Sequence, residues 1–319
     1  MRIGQNPAKA VKSVAQPAPV TVAVVSYIPT LGGYYTHSLE VLKICLSSIW
    51  ENTRTSYDLL VFDNASCPQV RQYLREAYEA GRIQYLVLSE KNYGKSGAWN
   101  FIFGAAPGTY IAYADSDVYH YPGWLEAQLA VLNQFPGVGM VTGMPMWTPE
   151  DYSTATVQWA EGAPAITLQR GRYLPWEDYW RHARSLGAEE AKARAHYDTT
   201  ENLVIRADGK QYYIGAAHFQ FVAPKRVLSS LLPIPSDRPM GQVRNLDIAL
   251  NEQGYHRLCT AEWWVRHMGN TLDELPSDPK SQPISRTNRG FWQMKLPRRL
   301  VNWLYHRTFQ ILYRNPSSE

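Results

Sequence analysis

The most constraining feature of this 319-residue chain is a regular alternation of apolar runs and amphipathic segments between residues 20 and 142. The alternation predicts strands at 21–27, 59–62, 83–88, 110–114 and 138–142, separated by helices at about 38–52, 68–80, 97–104 and 122–135. Strand, helix and strand at such short spacing predict an α/β fold with a doubly wound, mostly parallel central sheet flanked by helices.

The rest of the chain is less regular. Residues 1–19 carry three prolines and no apolar periodicity, and we expect them to form a flexible arm. Beyond residue 145 we predict a helix at 176–195, a strand at 212–222 followed by a short helix, and a helix at 245–253. Three cysteines without a Cys-x-x-Cys pair argue against a disulfide framework, and no apolar run is long enough to span a membrane. We therefore expect a cytoplasmic protein.

Charge is distributed unevenly. The chain has a net charge of +4, but residues 280–319 carry eight Lys or Arg and one acid, so the remainder carries −3. A mildly acidic body with a basic, aromatic tail indicates a local anionic partner and argues against general nucleic-acid binding. The tail is compatible with peripheral contact with the inner face of the membrane, or with a terminal helix packed on the body.

Polar residues gather where the predicted parallel strands end, at the edge where such sheets bind ligands. Asp115 and Asp117 follow the fourth strand, and hard oxygen ligands of this kind suit Mn²⁺ or Mg²⁺. Asp63 follows the second strand, where it can accept a hydrogen bond from a nucleobase imide or form a turn. Lys95 can contact a phosphate group of a nucleotide. Tyr27 can pack against a nucleobase, or it can be part of the hydrophobic core.

Four strings of residues carry a resemblance to a known family. They are Val24-Val25-Ser26-Tyr27, Phe62-Asp63-Asn64-Ala65-Ser66, Asn92-Tyr93-Gly94 with Asn100, and Ala114-Asp115-Ser116-Asp117. In this order and spacing they resemble family 2 glycosyltransferases of the GT-A fold, clearly over about residues 20–145 and more loosely over 212–270.

The resemblance implies a metal-dependent transfer of a sugar, with inversion, from a UDP- or GDP-type donor to a hydroxyl acceptor, such as a glycan or a lipid-linked sugar. It also implies roles for particular residues. Asp247 would be the catalytic base, with Glu262 and Asp237 in reserve, and His267 would join Asp115 and Asp117 at the metal. The implied donor contacts are Tyr27, Asp63, Asn64, Asn92, Lys95, Asn100 and Asp115.

The resemblance further divides the chain. It implies a nucleotide-sugar-binding half at 20–145, an acceptor-binding and catalytic half at 146–275, and a basic C-terminal helical extension at 276–319. The string 215–219 resembles the family's acceptor-side strand, and Trp147, Trp159, Trp176 and Trp180 are candidates for sugar stacking. A nucleotidyltransferase of related fold, a non-catalytic sugar-binding protein and a retaining transferase stay open as alternatives.

Overall fold

The structure is a computed structural model that describes residues 3–238 and 242–272. The predicted C-terminal extension at 276–319, with its membrane contact, lies outside the described residues. Residues 3–19 are almost all exposed and contain one short helical turn, Pro7–Ala10. None of the helices in the described ranges has the length and apolar character needed to cross a membrane.

Twelve strands and nine α-helices make up the described part of the chain. The strands are β1 (Val20–Ser26), β2 (Tyr57–Asn64), β3 (Tyr85–Ser89), β4 (Tyr110–Asp115), β5 (Val118–His120), β6 (Val138–Thr142), β7 (Thr167–Gly171), β8 (Asn202–Ala207), β9 (Lys210–Ile214), β10 (Gln220–Pro224), β11 (His256–Thr260) and β12 (Val265–His267). The helices are α1 (Ser38–Asn52), α2 (Pro68–Glu79), α3 (Gly94–Ala105), α4 (Trp124–Gln134), α5 (Thr154–Gly162), α6 (Trp176–Ser185), α7 (Glu190–Thr199), α8 (Lys225–Ser230) and α9 (Arg244–Glu252).

Ten strands form one sheet in the order β3-β2-β1-β4-β10-β6-β11-β9-β8-β7. Within the described residues, seven of these strands run in one direction, and β7, β9 and β10 run in the other. The four strands at one end, β3 to β4, are all parallel, so their carboxyl ends meet at the same edge. The predicted α/β fold with a mostly parallel sheet is confirmed.

Helices cover both faces of the sheet, which explains why β1 is apolar at nearly every position. Val22 and Val24 pack with residues of α1, α2 and α4 on one face. Ala23 and Val25 pack on the other face with residues of α3, α8 and α9. A strand buried on both sides has no polar face, so its sequence reads as a continuous apolar run.

Two elements predicted in the second half were wrong in their extent. The predicted helix at 176–195 is two helices, α6 and α7, separated near Gly187, which adopts a positive φ of 80°. The predicted strand at 212–222 is β9 and β10, with residues 215–219 as the connection between them. Gly215 has a φ of +107°, a conformation that ends β9 and that other residues rarely adopt.

A small second sheet positions the end of the described chain. β5 and β12 pair antiparallel, with His267 opposite Val118. The backbone N–H of Met268 donates to the carbonyl of Asp117 over 2.8 Å. Residues about 150 positions apart in the sequence are therefore neighbours at the end of β4.

Candidate active site

A cavity of about 560 Å³ lies beyond the carboxyl end of β4. Its lining includes five of the predicted catalytic, metal-binding and donor-binding side chains: Lys95, Asp115, Asp117, Asp247 and His267. Asp115 is the last residue of β4, and Asp117 lies in the turn that follows it. Helix α3 supplies Lys95, α9 supplies Asp247 and β12 supplies His267. The cavity therefore brings together the predicted metal, phosphate and base residues.

Asp115 is held by two neighbours. Its Oδ2 lies 2.6 Å from Nζ of Lys95, and its Oδ1 accepts a hydrogen bond of 2.6 Å from the hydroxyl of Tyr113. The Lys95 ammonium also lies 5.4 Å from the ring centre of Trp99 and 5.5 Å from that of Tyr113. Burial raises the pKa of Tyr113 well above its ordinary value, and the Asp115 charge adds to the effect. Both oxygens of Asp115 are thus engaged within the protein.

Asp117 is held differently. Its Oδ2 lies 3.3 Å from Nε2 of His267, whose Nδ1 lies 2.9 Å from Oγ of Ser185. Its Oδ1 is buried and has no hydrogen-bond partner among the described residues. Burial raises the pKa of the Asp117 carboxyl; His267 opposes this shift, and Asp115 reinforces it.

No three His, Cys, Asp or Glu side chains in the described part of the chain are arranged as a ready metal site. The buried, unpartnered Oδ1 of Asp117 nevertheless suits a hard cation, because a buried polar atom without a partner is costly. His267 points Nε2 at the same carboxylate, and Ser185 fixes the ring through the other nitrogen. Asp117 and His267 therefore fit a divalent ion, whereas Asp115 would first have to release Lys95.

Asp63 lies at the end of β2 but not in the cavity. It is fully buried, and its Oδ2 accepts hydrogen bonds from the backbone of Ser66 and from Nε of Arg71, both over 3.2 Å. Arg71 also donates to Glu90 and to the carbonyl of Ser89. Oδ1 of Asp63 is buried without a hydrogen-bond partner among the described residues. One carboxylate oxygen is thus left without a donor at this strand end.

Asn64, Asn92 and Asn100 all hold backbone rather than line the cavity. Asn64 donates to Oδ1 of Asn92 and to the carbonyl of Gly94, and accepts from the backbone of Tyr93. These bonds tie the end of β2 to the start of α3, which carries Lys95. Asn100 makes two hydrogen bonds of 2.8 Å with the backbone of Ile234.

The predicted aromatic residues separate into different places. Trp147 lines the cavity, whereas Trp159 stacks on His256, with 4.4 Å between ring centres. Trp176 and Trp180 stack on each other at 5.9 Å, outside the cavity lining. The ring of Tyr27 meets that of Tyr35 edge-on at 6.3 Å. Of the four tryptophans, only Trp147 borders the cavity formed by the described residues.

Asp247, in the first turn of α9, is almost completely buried and lies between two cationic or ionisable groups. Its Oδ1 is 2.8 Å from Nη2 of Arg257, and its Oδ2 is 3.4 Å from Nδ1 of His218. Arg257 is itself buried and donates to the carbonyls of Tyr152 and Ala216, over 2.6 Å and 2.5 Å. Burial lowers the pKa of the Arg257 guanidinium, and the Asp247 charge opposes this shift.

Sequence reasoning missed several cavity residues. His218 was part of a string assigned to the acceptor side, but it received no role, and Arg257 was not singled out at all. His182 also lines the cavity, and burial lowers its pKa to about 3, with His267 adding to the shift. The string 215–219, which resembles the family's acceptor-side strand, was the available signal for His218. Arg257 and His182 had no comparable local signal.

The reserve candidates for a base lie elsewhere. Asp237 is exposed and accepts a hydrogen bond from Gln242. Glu262 is exposed, and its carbonyl accepts a hydrogen bond from Thr260. Neither residue is part of the cavity lining.

Comparison with solved structures finds a distant similarity. A mannosyltransferase, PcManGT from Pyrobaculum calidifontis, solved in complex with GDP-Man and Mn²⁺, is 16% identical to this chain with a TM-score of 0.46. The match covers 77% of this chain and 55% of the other, so the chain spans little more than half the length of that protein. No curated protein sequence matches the chain.

A family comparison agrees with the resemblance, and three of the four motifs lie in the matched range. The model of the family described as "Glycosyl transferase family 2" matches residues 28–192, which is more than half of the chain. The matched range contains Asp63, Lys95, Asp115 and Asp117. The resemblance that the motifs indicate is thereby confirmed, and this chain belongs to glycosyl transferase family 2.

Proposed function

We propose that this protein transfers a sugar from a nucleoside diphosphate sugar to an acceptor hydroxyl, with inversion and with help from Mn²⁺ or Mg²⁺. The observation that carries the proposal is the cavity at the end of β4. Lys95 and the Asp117–His267 pair lie on its lining together with Asp247 and His218. A diphosphate leaving group and an attacking hydroxyl need these two kinds of group near each other.

On the donor side, Lys95 would contact the diphosphate. It lies in the first turn of α3, where the helix dipole also favours an anion, and the Asn64 hydrogen bonds hold this turn in place. Asp117 and His267 would hold the cation, which would neutralise negative charge on the departing diphosphate. Asp115 would keep Lys95 in position through its 2.6 Å contact.

The nucleobase would lie beside Asp63, with Tyr27 and Asn64 nearby at the ends of β1 and β2. The unpartnered Oδ1 of Asp63 supports this assignment, because it is an acceptor with no donor among the described residues. A uracil or guanine N–H can supply the missing hydrogen bond. An Asp63→Ala variant should therefore bind UDP or GDP more weakly while binding inorganic pyrophosphate unchanged.

On the acceptor side, the hydroxyl would enter the part of the cavity lined by Trp147 and His218. Aromatic rings stack on the apolar faces of sugars, so Trp147 suits a glycan or a lipid-linked sugar. The carboxylate–imidazole pair of Asp247 and His218 is the machinery available for removing the hydroxyl proton.

A thermal-shift panel of UDP, GDP, CDP and TDP, each with and without Mn²⁺, tests the donor class. We expect one nucleotide to stabilise the protein and Mn²⁺ to increase that effect. The matching nucleotide sugar should then release nucleoside diphosphate, and proton NMR of the product should report an inverted anomeric centre. Release of pyrophosphate would identify a nucleotidyltransferase instead, and binding without turnover would identify a non-catalytic sugar-nucleotide binder.

A further inference from the structure

We propose that His218 is the general base that deprotonates the acceptor hydroxyl, and that Asp247 is a positioning residue that orients His218. This inference rests on the proposed function and changes the role of Asp247 within it. The two side chains are 3.4 Å apart, between Nδ1 of His218 and Oδ2 of Asp247. A carboxylate that orients an imidazole, which in turn activates a hydroxyl, is a recurrent catalytic arrangement.

Accessibility separates the two residues. Both side chains line the cavity, but that of Asp247 is only 8% exposed, whereas that of His218 is 39% exposed. Arg257 lies against one oxygen of Asp247 and His218 against the other. A substrate hydroxyl would have to displace one of these neighbours to reach Asp247, but it can approach the imidazole directly.

The ring of His218 has a suitable nitrogen for this task. Nδ1 faces Asp247, so the tautomer that donates Nδ1–H to the carboxylate leaves the lone pair on Nε2. Within the described residues, Nε2 has no hydrogen-bond partner. Distances of this kind are often long without substrate and shorten when the reacting group is bound, so 3.4 Å is compatible with a working pair.

The loop that carries His218 is fixed by its neighbours. The backbone N–H of Ala217 donates to Oγ1 of Thr142 over 2.8 Å, and Arg257 donates to the carbonyl of Ala216 over 2.5 Å. The next residue, Phe219, accepts a hydrogen bond from the backbone N–H of Asp115 over 2.8 Å. Arg257 therefore orients Asp247 and the His218 loop together, as a preorganised base requires.

The chemistry is balanced by these groups. Nε2 of His218 would take the acceptor proton while the acceptor oxygen forms its bond to the anomeric carbon. The bond from that carbon to the diphosphate oxygen breaks, and its electron pair leaves with the nucleoside diphosphate. The resulting imidazolium would be stabilised by the Asp247 carboxylate.

Other titratable and charged groups share the cavity with the ring. They are Asp247 and Arg244 of α9, Arg257 of β11, Lys95 of α3, Asp115 and Asp117 at the end of β4, His182 and His267, and the phenols of Tyr34 and Tyr152. Since several of these groups can influence a pH profile, the profile of the wild-type protein alone does not identify the base. Variants at His218 have to be compared with it.

The test uses the full chain and the nucleotide sugar found in the thermal-shift panel, with octyl glycosides and water as acceptors. We expect His218→Gln to lower kcat by about 10²- to 10⁴-fold while nucleotide binding stays unchanged. The acid side of the pH profile of kcat, where protonation disables the base, should disappear in this variant. Added imidazole should partly restore kcat in His218→Ala but not in Asp247→Ala. His37→Gln, an exposed histidine before α1, is the matched control.

The proposal is overturned if His218→Gln keeps the wild-type kcat and the decrease of kcat on the acid side of the pH profile. That result would return the role of base to Asp247. It is also overturned if two results occur together in His218→Ala. Added imidazole does not restore the lost activity, and the kcat of the residual activity still decreases on the acid side of the pH profile as in the wild-type protein. Asp247→Asn leaves the buried charge of Arg257 without its carboxylate partner and can unfold the protein, so the His218 variants decide the question. Failure of the wild-type protein to bind any nucleotide or to turn over any sugar donor would instead refute the proposed function.

Discussion

Nζ of Lys95 lies 2.6 Å from Oδ2 of Asp115, and the aromatic rings of Trp99 and Tyr113 flank the same ammonium group. The lysine is 15% exposed and the aspartate 27%, so the pair is partly shielded from water at the edge of the cavity. A positive charge in this position is available to a diphosphate without movement of the backbone. The first prediction follows from this contact.

Replacing Lys95 with Met should weaken the binding of the nucleoside diphosphate by about tenfold, or about 1.4 kcal/mol, because a charge-assisted contact is lost. Isothermal titration with the nucleotide, in the presence of Mn²⁺, measures this change. Lys43→Met is the control, since Lys43 makes a comparable 2.8 Å ion pair with Glu40 on the exposed side of α1. Equal affinity in the Lys95 variant and in the control would remove Lys95 from the phosphate site.

Mn²⁺ should raise the melting temperature of the wild-type protein, because a ligand that binds only the folded state stabilises it by about 2.7 kcal/mol at one hundred times its Kd. Asp117→Ala and His267→Gln should fold and lose this effect, since both side chains lie at strand ends on the cavity. Asp115→Asn should keep it, because Lys95 and Tyr113 already engage that carboxylate. Loss of the Mn²⁺ effect in the Asp115 variant would make Asp115 a ligand, as the sequence predicts.

The loop that carries His218 depends on Gly215. A Cβ atom there would lie 1.8 Å from Oγ1 of Thr148, and φ is +107°. Gly215→Ala should therefore destabilise the protein by about 2 to 4 kcal/mol and lower kcat. Urea unfolding gives the stability. Gly209→Ala is the matched control, because Gly209 also has a positive φ of 73° but a Cβ there meets nothing within 4 Å.

Removing the obstructing side chain should separate crowding from backbone strain. The double variant Gly215→Ala with Thr148→Ala should recover part of the lost stability, because the contacts with Oγ1 and Cγ2 of Thr148 are removed. The Cβ of residue 148 still lies 2.7 Å away and φ stays positive, so the recovery should be incomplete. If the double variant is as unstable as the sum of the two single ones, crowding against Thr148 is not the cause.

The unfolding free energy should fall below neutral pH because of His120, whose pKa burial lowers from 6.5 to about 3. The unfolded chain takes up a proton near pH 6.5 and the folded one only near pH 3. The favourable contribution of the neutral ring is thus complete above pH 6.5 and is lost as the pH falls towards 3. At pH 5 the loss from this one group is about 2 kcal/mol relative to pH 7.

Urea unfolding of the wild-type protein and of His120→Gln at pH 7 and pH 5 tests this expectation. The ring packs on Trp124 and Nδ1 lies 3.2 Å from Oγ of Ser48, so the variant should be less stable at both pH values. The test compares how much unfolding free energy each protein loses between pH 7 and pH 5, and this loss should be smaller in His120→Gln. An equal loss between pH 7 and pH 5 in both proteins would show that another group causes it.

The first half of the fold was predictable because local patterns determine it. Apolar periodicity located β1 to β4 and β6 and the helices between them, and the strand-end rule then pointed to Asp63, Asp115 and Asp117. The second half was less predictable, because the helix expected at 176–195 and the strand expected at 212–222 were each interrupted near a glycine, at Gly187 and Gly215.

Partnerships across the fold could not be predicted from local sequence. Asp247 belongs to α9 and Arg257 to β11, the strand that follows it. The sequence of neither segment predicts the contact between the two side chains. One partner of Asp115 is similarly Lys95, which lies 20 residues away in α3. Such pairs arise only when the sheet has set the register of its strands, so their identity is a property of the tertiary structure.

Because β5 pairs with β12, the cavity can be completed only after β12 has been translated. A nascent chain that has emerged as far as α4 already contains Asp63, Lys95, Asp115 and Asp117, but the histidine that faces Asp117 is still more than a hundred residues from being made. During translation the acidic strand end is therefore present before its imidazole partner. Fragments that stop short of residue 265 keep the paired aspartates and lack the ribbon that completes their surroundings.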